Sequence, residues 1–243
     1  MNKILYWLYQ PYKWLFFAPF FIINSTIFGT IAVLVSLVIN QKVGNFIGGV
    51  LWARLNSLLT PIRVVVTGRE NVKKGQSYVI IANHQSAYDI FVLYGYIGLD
   101  IKWVMKKELK KMPGVGFGSK AVGHIFIDRS SNKSAVESIQ EAKTKVRGGT
   151  SVVFFPEGTR SRSGELLPFK KGAYRFAFEL GLPILPVTIR GTDKIMPSGT
   201  LDVRPGKAEL IIHHPVDINK YGNENLNRLI ADTRETIMSG LDF

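Results

Sequence analysis

From Trp14 to Gln41 the chain carries no charged side chain. A stretch of that length is either buried in protein or placed in hydrocarbon, and as one helix it is long enough to cross a core of ~30 Å. Two strongly apolar segments, Trp14 to Ile23 and Ile31 to Ile39, flank a more polar middle of Asn24-Ser-Thr26 and Gly29-Thr30. Two courses fit: a single spanning helix, or a helical hairpin that breaks at the polar middle and returns to the same leaflet. Lys3 and Lys13 precede the run while Lys42 and Arg54 follow it, so basic residues orient it only weakly. Trp7, Tyr9, Tyr12 and Trp14 are spaced as interfacial anchors. The leader is too long, and no small-x-small site closes the run, for a cleaved signal peptide.

After Lys42 the pattern becomes amphipathic. Val43, Phe46, Ile47, Val50, Leu51, Leu55, Leu58 and Leu59 recur at helical spacing, with Asn45, Gly48, Gly49, Asn56 and Ser57 between them. Thr60-Pro61 ends that helix, which is expected either to lie in the membrane interface or to pack on the following domain, the neighbouring run favouring the interface. The expected organisation is an anchoring unit over 1–60 (apolar run 14–41, amphipathic helix 43–59) and one domain over 61–243. The first acidic residue is Glu70, and the net charge is +13. Such a balance points to anionic partners, a lipid surface or nucleic acid. Basic residues here follow strand ends rather than alternating with stacking aromatics, which argues against nucleic acid.

The remainder reads as alternating strands and helices. Strands are expected at Ile62 to Thr67, Tyr78 to Ala82, Ile101 to Met105, Ile125 to Ile127, Val152 to Phe155, Ile184 to Ile189 and Ala208 to His213. Helices are expected after Asp89, from Ser134 to about Arg147, from Gly172 to Leu180 and from Asn225 to Met238. This order implies an α/β fold with a largely parallel or mixed central sheet flanked by helices.

Two strand ends carry chemistry. Tyr78 to Ala82 stops at Asn83-His84, and Ser86 with Asp89 forms a capping-box-like helix start. Residues five apart on one helix are rotated by about 140° and cannot meet. With His84 before the helix and Asp89 in its first turn, the carboxylate can reach back to one imidazole nitrogen and leave the other as an oriented proton acceptor. The second strand ends in Pro156-Glu-Gly-Thr-Arg160, where proline stops pairing. Gly158 permits close backbone approach, Thr159 offers a hydroxyl, and Arg160 offers a planar fork suited to phosphate. A third strand ends at Lys106, Lys107, Lys110 and Lys111. Open α/β sheets place ligands at such carboxyl ends.

Asn83-His84-x4-Asp89 followed by Phe155-Pro-Glu-Gly-Thr-Arg160 resembles the glycerolipid acyltransferase family, specifically the bacterial 1-acyl-glycerol-3-phosphate acyltransferases. Lys106-Lys107-Glu108-Leu109, Pro113, Gly116 and Ile127-Asp128-Arg129 resemble a second family motif, and Leu182-Pro-Ile-Leu-Pro-Val187 a fourth. The likeness covers roughly residues 62 to 215, in order. It implies transfer of an acyl group from acyl-ACP or acyl-CoA to lysophosphatidic acid, giving phosphatidic acid, at the cytoplasmic face of a bacterial inner membrane. His84 would be the general base and Asp89 its orienting acid. Arg160, Thr159 and Gly158 would hold the acceptor phosphate, with Lys106 or Lys107 and Arg129 as further candidates. Glu157 belongs to the same block, and orienting a basic neighbour suits a carboxylate better than meeting a phosphate.

The residue types agree with direct transfer. There is no cysteine and no Gly-x-Ser-x-Gly elbow, so a covalent acyl-enzyme lacks an evident nucleophile. His124, His213 and His214 read as structural, and neither metal nor cofactor is expected. Phe169-Lys170-Lys171-Gly172 fits a loop bordering the acceptor, an acidic carrier or solvent alike. Three other readings stay open: acylation of another lysolipid such as a lyso-aminolipid, a membrane-bound thioesterase or lipase, and a non-enzymatic anionic-lipid-binding module.

Overall fold

The seven apolar runs read as strands are strands in the computed structural model, which describes residues 3–112, 115–128, 138, 140, 142–161 and 164–241. They are β1 (Ile62–Thr67), β2 (Val79–Ala82), β3 (Asp100–Lys106), β4 (Ile125–Ile127), β5 (Thr150–Phe154), β6 (Ile184–Arg190) and β7 (Gly206–Ile212). They form one sheet in the order β1-β7-β6-β2-β5-β3-β4. All pairs are parallel except β6 with β7, so the sheet is mixed. β2 lies between β6 and β5, and all four of its residues are buried.

Alternation along β2 sends its side chains into two cores. Ile80 and Ala82 pack with Tyr88, Val92 and Leu93 on one face. Val79 and Ile81 meet Ala142, Tyr174, Phe176, Leu229 and Ile237 on the other. Burial on both faces explains why β2 and the Val152–Phe154 part of β5 are continuous apolar runs rather than alternating ones. The helices Asp89–Tyr96, Gly172–Leu180 and Leu226–Ser239 supply the covering layers. The Ser134–Glu137 start expected for the helix before β5 lies outside the described residues; 142–145 are helical.

The N-terminal segment is continuous where a break was one of the two expected courses. Residues Lys3–Val38 form one helix, long and apolar enough to cross a membrane, with a π-helical turn at Lys13–Phe17. The polar middle does not break it because its side chains find partners. The Asn24 amide donates to the Phe20 carbonyl at 2.8 Å and exchanges bonds with Asn56 at 3.1 Å, and Ser25 Oγ accepts from Trp52 Nε1. The chain turns instead at Ile39-Asn40, where the Asn40 side chain caps the next helix by accepting from Val43 N.

That second helix, running from Gln41 to Leu59 through another π-helical turn, shows an inverted face. Its small and polar residues Gly44, Asn45, Gly49, Ala53, Asn56 and Ser57 are buried, while Val43, Phe46, Leu51 and Leu58 are exposed. The expected packing on the α/β domain is therefore present, through Asn45, and the same face also meets the N-terminal helix, through Asn56 and Asn24, while the apolar residues stay exposed. Asn45 is the link. Trp103 N donates to His124 Nδ1, leaving Nε2–H for the Tyr94 hydroxyl, which donates to Asn45 Oδ1 at 2.8 Å. Burial pushes the His124 pKa down to about 3, so this relay runs through neutral imidazole.

Candidate active site

Asn83 sets the site's origin. It follows the last β2 residue, and its buried side-chain amide accepts from Ile189 N and donates to Ile189 O at 2.8 and 2.7 Å. A side chain thus continues the β2–β6 pairing for one more step and fixes where the chain turns. A buried asparagine must find such partners, and that requirement alone could have marked it in the sequence.

The turn then delivers His84 to Asp89. Asp89 is fully buried at the helix start, and its Oδ2 accepts from His84 Nδ1 at 2.7 Å, Gln85 N at 2.8 Å and Ser86 N at 2.9 Å. Its Oδ1 accepts from the Thr192 hydroxyl. Four donors and no acceptor are what an ionised carboxylate satisfies. The acid half of the expected capping box is therefore present, reaching back to Ser86 N. The Ser86 hydroxyl departs from the pattern, accepting from Tyr88 N and donating to the Met196 carbonyl at 2.6 Å.

With Nδ1 carrying the proton, Nε2 holds a free lone pair, and the His84 side chain keeps 15% of its surface accessible. The Phe155 ring fixes the imidazole plane, stacked 3.9 Å from it at 10°, and Trp103 backs Phe155 at 5.8 Å. The Asp89 bond sets the rotation of the ring and the Phe155 stack its tilt, so the direction of Nε2 is determined.

The β5 end wraps this turn. Glu157 is buried, and its two oxygens accept from His84 N at 2.7 Å and Leu167 N at 2.9 Å. Its partners are backbone amides, which corrects the expectation of a basic neighbour: the carboxylate ties two loops together. Burial pushes its pKa up, and the two amide bonds oppose that rise. Ser161 N donates to the His84 carbonyl at 2.8 Å, closing the loop that carries Gly158, Thr159 and Arg160. All three of those residues are exposed beside the turn. Gly158 has φ +75°, and Lys170 Nζ lies 2.5 Å from where a Cβ would stand, so any side chain there displaces the lysine. The Phe169–Gly172 loop therefore borders the Gly158–Arg160 block.

The β3 end is adjacent, since β5 lies between β2 and β3. Lys106 is exposed there, and Lys107 pairs with Asp128 at 2.6 Å. Arg129 lies outside the described residues. Thr192, missed in the sequence, arrives from the end of β6 after Gly191, whose φ is +83° and whose Cβ would meet the Lys207 carbonyl at 2.5 Å. It stands about a hundred positions from Asp89, and the one signal was its place just past a strand end, like the other site motifs. Replacing Thr192 by valine should lower kcat about tenfold or more at unchanged KM, because a bond to a buried charge is lost. Serine at 192 should restore it, and a valine variant with full kcat would remove Thr192 from the positioning set.

A family model described as Acyltransferase matches residues 63–190, more than half of the chain. The chain belongs to this acyltransferase family. A 1-acyl-sn-glycerol-3-phosphate acyltransferase from Chlamydomonas reinhardtii is 32% identical over 93% of this chain and 68% of the relative. One from Borreliella burgdorferi is 31% identical over 74% of this chain and 73% of the relative. A chloroplastic one from Brassica napus is 36% identical, and the match spans only 55% of that relative's length. The crystal structure of the 1-acyl-sn-glycerophosphate (LPA) acyltransferase PlsC from Thermotoga maritima superposes with a TM-score of 0.73 at 29% identity, covering 100% of this chain and 97% of that one. This last likeness takes in the helices before β1, which the family model does not.

Proposed function

We propose that the chain transfers an acyl group from a thioester donor to the sn-2 hydroxyl of 1-acyl-glycerol-3-phosphate, giving phosphatidic acid. The observation that carries the reading is the His84–Asp89 pair, with Nδ1 held by an ionised carboxylate and Nε2 free, beside the Gly158–Arg160 block. Nε2 takes the proton of the acceptor hydroxyl as its oxygen attacks the thioester carbonyl. The C–S bond breaks, and the departing sulfur receives that proton from the imidazolium. General-base assistance of this kind contributes ~10²–10⁴-fold.

Arg160 and Thr159 grip the acceptor phosphate, with Gly158 admitting it to the backbone, and Lys106 and Lys170 add positive charge around it. Lys107 and Arg129 belong to the same set, with Lys107 also held by Asp128. The segment 1–60 anchors the 61–243 domain at a membrane, the cytoplasmic face of the inner membrane in a bacterium. The outward apolar face of the second helix supports this, because an exposed stripe containing Phe46, Leu51 and Leu58 is stable against lipid rather than water. Acyl-ACP and acyl-CoA both supply the required thioester.

An acyl-transfer assay offering lysophosphatidate, a lyso-aminolipid and monoacylglycerol, each with ACP and CoA donors, tests this. Lysophosphatidate should be the preferred acceptor; equal turnover of all three, or thioester hydrolysis indifferent to acceptor, would replace the reading. Arg160→Ala should lower kcat/KM for lysophosphatidate by ~10–100-fold, the worth of a charge-assisted contact, and leave monoacylglycerol unchanged. A loss common to both acceptors would take Arg160 out of phosphate recognition.

A further inference from the structure

A second basic site opens on the other side of the His84 turn. A cleft of about 1200 Å³ begins at Gln85, the residue after His84, and at Gly164, whose carbonyl accepts from Gln85 Nε2. It runs along the ends of β6 and β7, past Arg190, Lys194, Arg204 and Lys207, to Lys3 and Tyr6 of the N-terminal helix. Five cations line it against two carboxylates, Asp193 and Glu209. Glu209 is shared by Arg190 and Lys207, while Asp202 behind the cleft is shared by Lys13 and Arg204. Among the described lining residues cations therefore outnumber carboxylates, and Lys194 and Lys207 are exposed along it.

The reaction has two phosphate-bearing substrates. The Gly158–Arg160 block at the β5 end is taken by the acceptor, so the donor's phosphate calls for a cationic anchor of its own. Both donor types carry the acyl thioester on a phosphopantetheine arm, so a phosphate follows the reacting carbonyl at a distance fixed by the arm. We infer that the cleft over the β6 and β7 ends binds this phosphate and lays the arm past Gln85, bringing the thioester to His84 from the side opposite the acceptor. The separation has a physical reason: two anions on one cationic patch would repel, whereas flanking sites let both substrates occupy the turn together. The inference rests on the acyl-transfer reading and adds to it the site and chemical class of the donor.

The test uses the full chain in vesicles with lysophosphatidate and two short donors, an S-acyl-pantetheine and the same S-acyl-4′-phosphopantetheine. In the unsubstituted protein the phosphate should lower the donor KM. In the double variant Lys194→Ala, Lys207→Ala that advantage should shrink about tenfold, a modest figure because both lysines are exposed to solvent. KM for lysophosphatidate should stay unchanged. Removal of Lys207 leaves Glu209 paired with Arg190, so folding should persist, which thermal unfolding checks. A double variant that keeps the full phosphate advantage would overturn the inference, as would one that loses lysophosphatidate affinity or binding to anionic vesicles instead. No transfer by the unsubstituted protein with any donor would be a failure of the acyl-transfer reading itself, visible before any variant is made.

Discussion

His84→Ala should reduce acyl transfer by ~10²–10⁴-fold while leaving the fold and lysophosphatidate binding in place. The two main-chain bonds that hold this position do not involve the ring: His84 N donates to Glu157 and its carbonyl accepts from Ser161 N. Alanine keeps both. It loses the Asp89 contact and the Phe155 stack, yet Asp89 retains three other donors, so no buried charge is stranded. Unfolding temperature and equilibrium binding of lysophosphatidate should therefore move little as turnover collapses. A variant that turned over at a normal rate would place the base elsewhere.

Asp89→Asn should be nearly as severe, at ~10²–10⁴-fold in kcat, because the charge that stabilises the imidazolium is gone. Asparagine can keep its carbonyl oxygen toward His84 Nδ1, Gln85 N and Ser86 N, turning its amide to the Thr192 hydroxyl, which can rotate to accept. Shape and tautomer are then preserved, and only the charge is removed. Asp89→Ala differs in kind, since it leaves three donors of the turn and the Thr192 hydroxyl unpaired in a buried place, at about 1–3 kcal/mol each. The comparison separates roles: asparagine should cost rate without stability and alanine both. Near-normal kcat in Asp89→Asn would reduce Asp89 to a helix-start residue.

The sheet could be read from the sequence because strands buried on both faces are short, continuous and β-branched, and β2 and the Val152–Phe154 part of β5 have that form. The His84–Asp89 contact was readable for a related reason, since it is local and follows from where a strand stops and a helix starts. Contacts that close over long sequence separations left no such trace. Thr192 reaches Asp89, Glu157 reaches the amide of His84, and Lys13 is buried against Asp202. Each depends on which loop ends fall beside each other in the finished sheet. The helix from Gln41 to Leu59 was legible in period but not in direction. Periodicity tells which residues share a face, whereas the solvent on each side decides which face turns inward. Here the buried side is small and polar, because Gly49 must admit the Tyr94 ring and Asn45 must meet the Tyr94 hydroxyl.

The most direct test follows thioester consumption in the purified full chain, with and without lysophosphatidate, while trapping any acylated protein by acid quench. The account predicts consumption only when lysophosphatidate is present, phosphatidic acid formed in equal amount, no acyl group on the protein, and loss of the whole signal in His84→Ala. Acylated protein accumulating without acceptor, or undiminished product from His84→Ala, would contradict it.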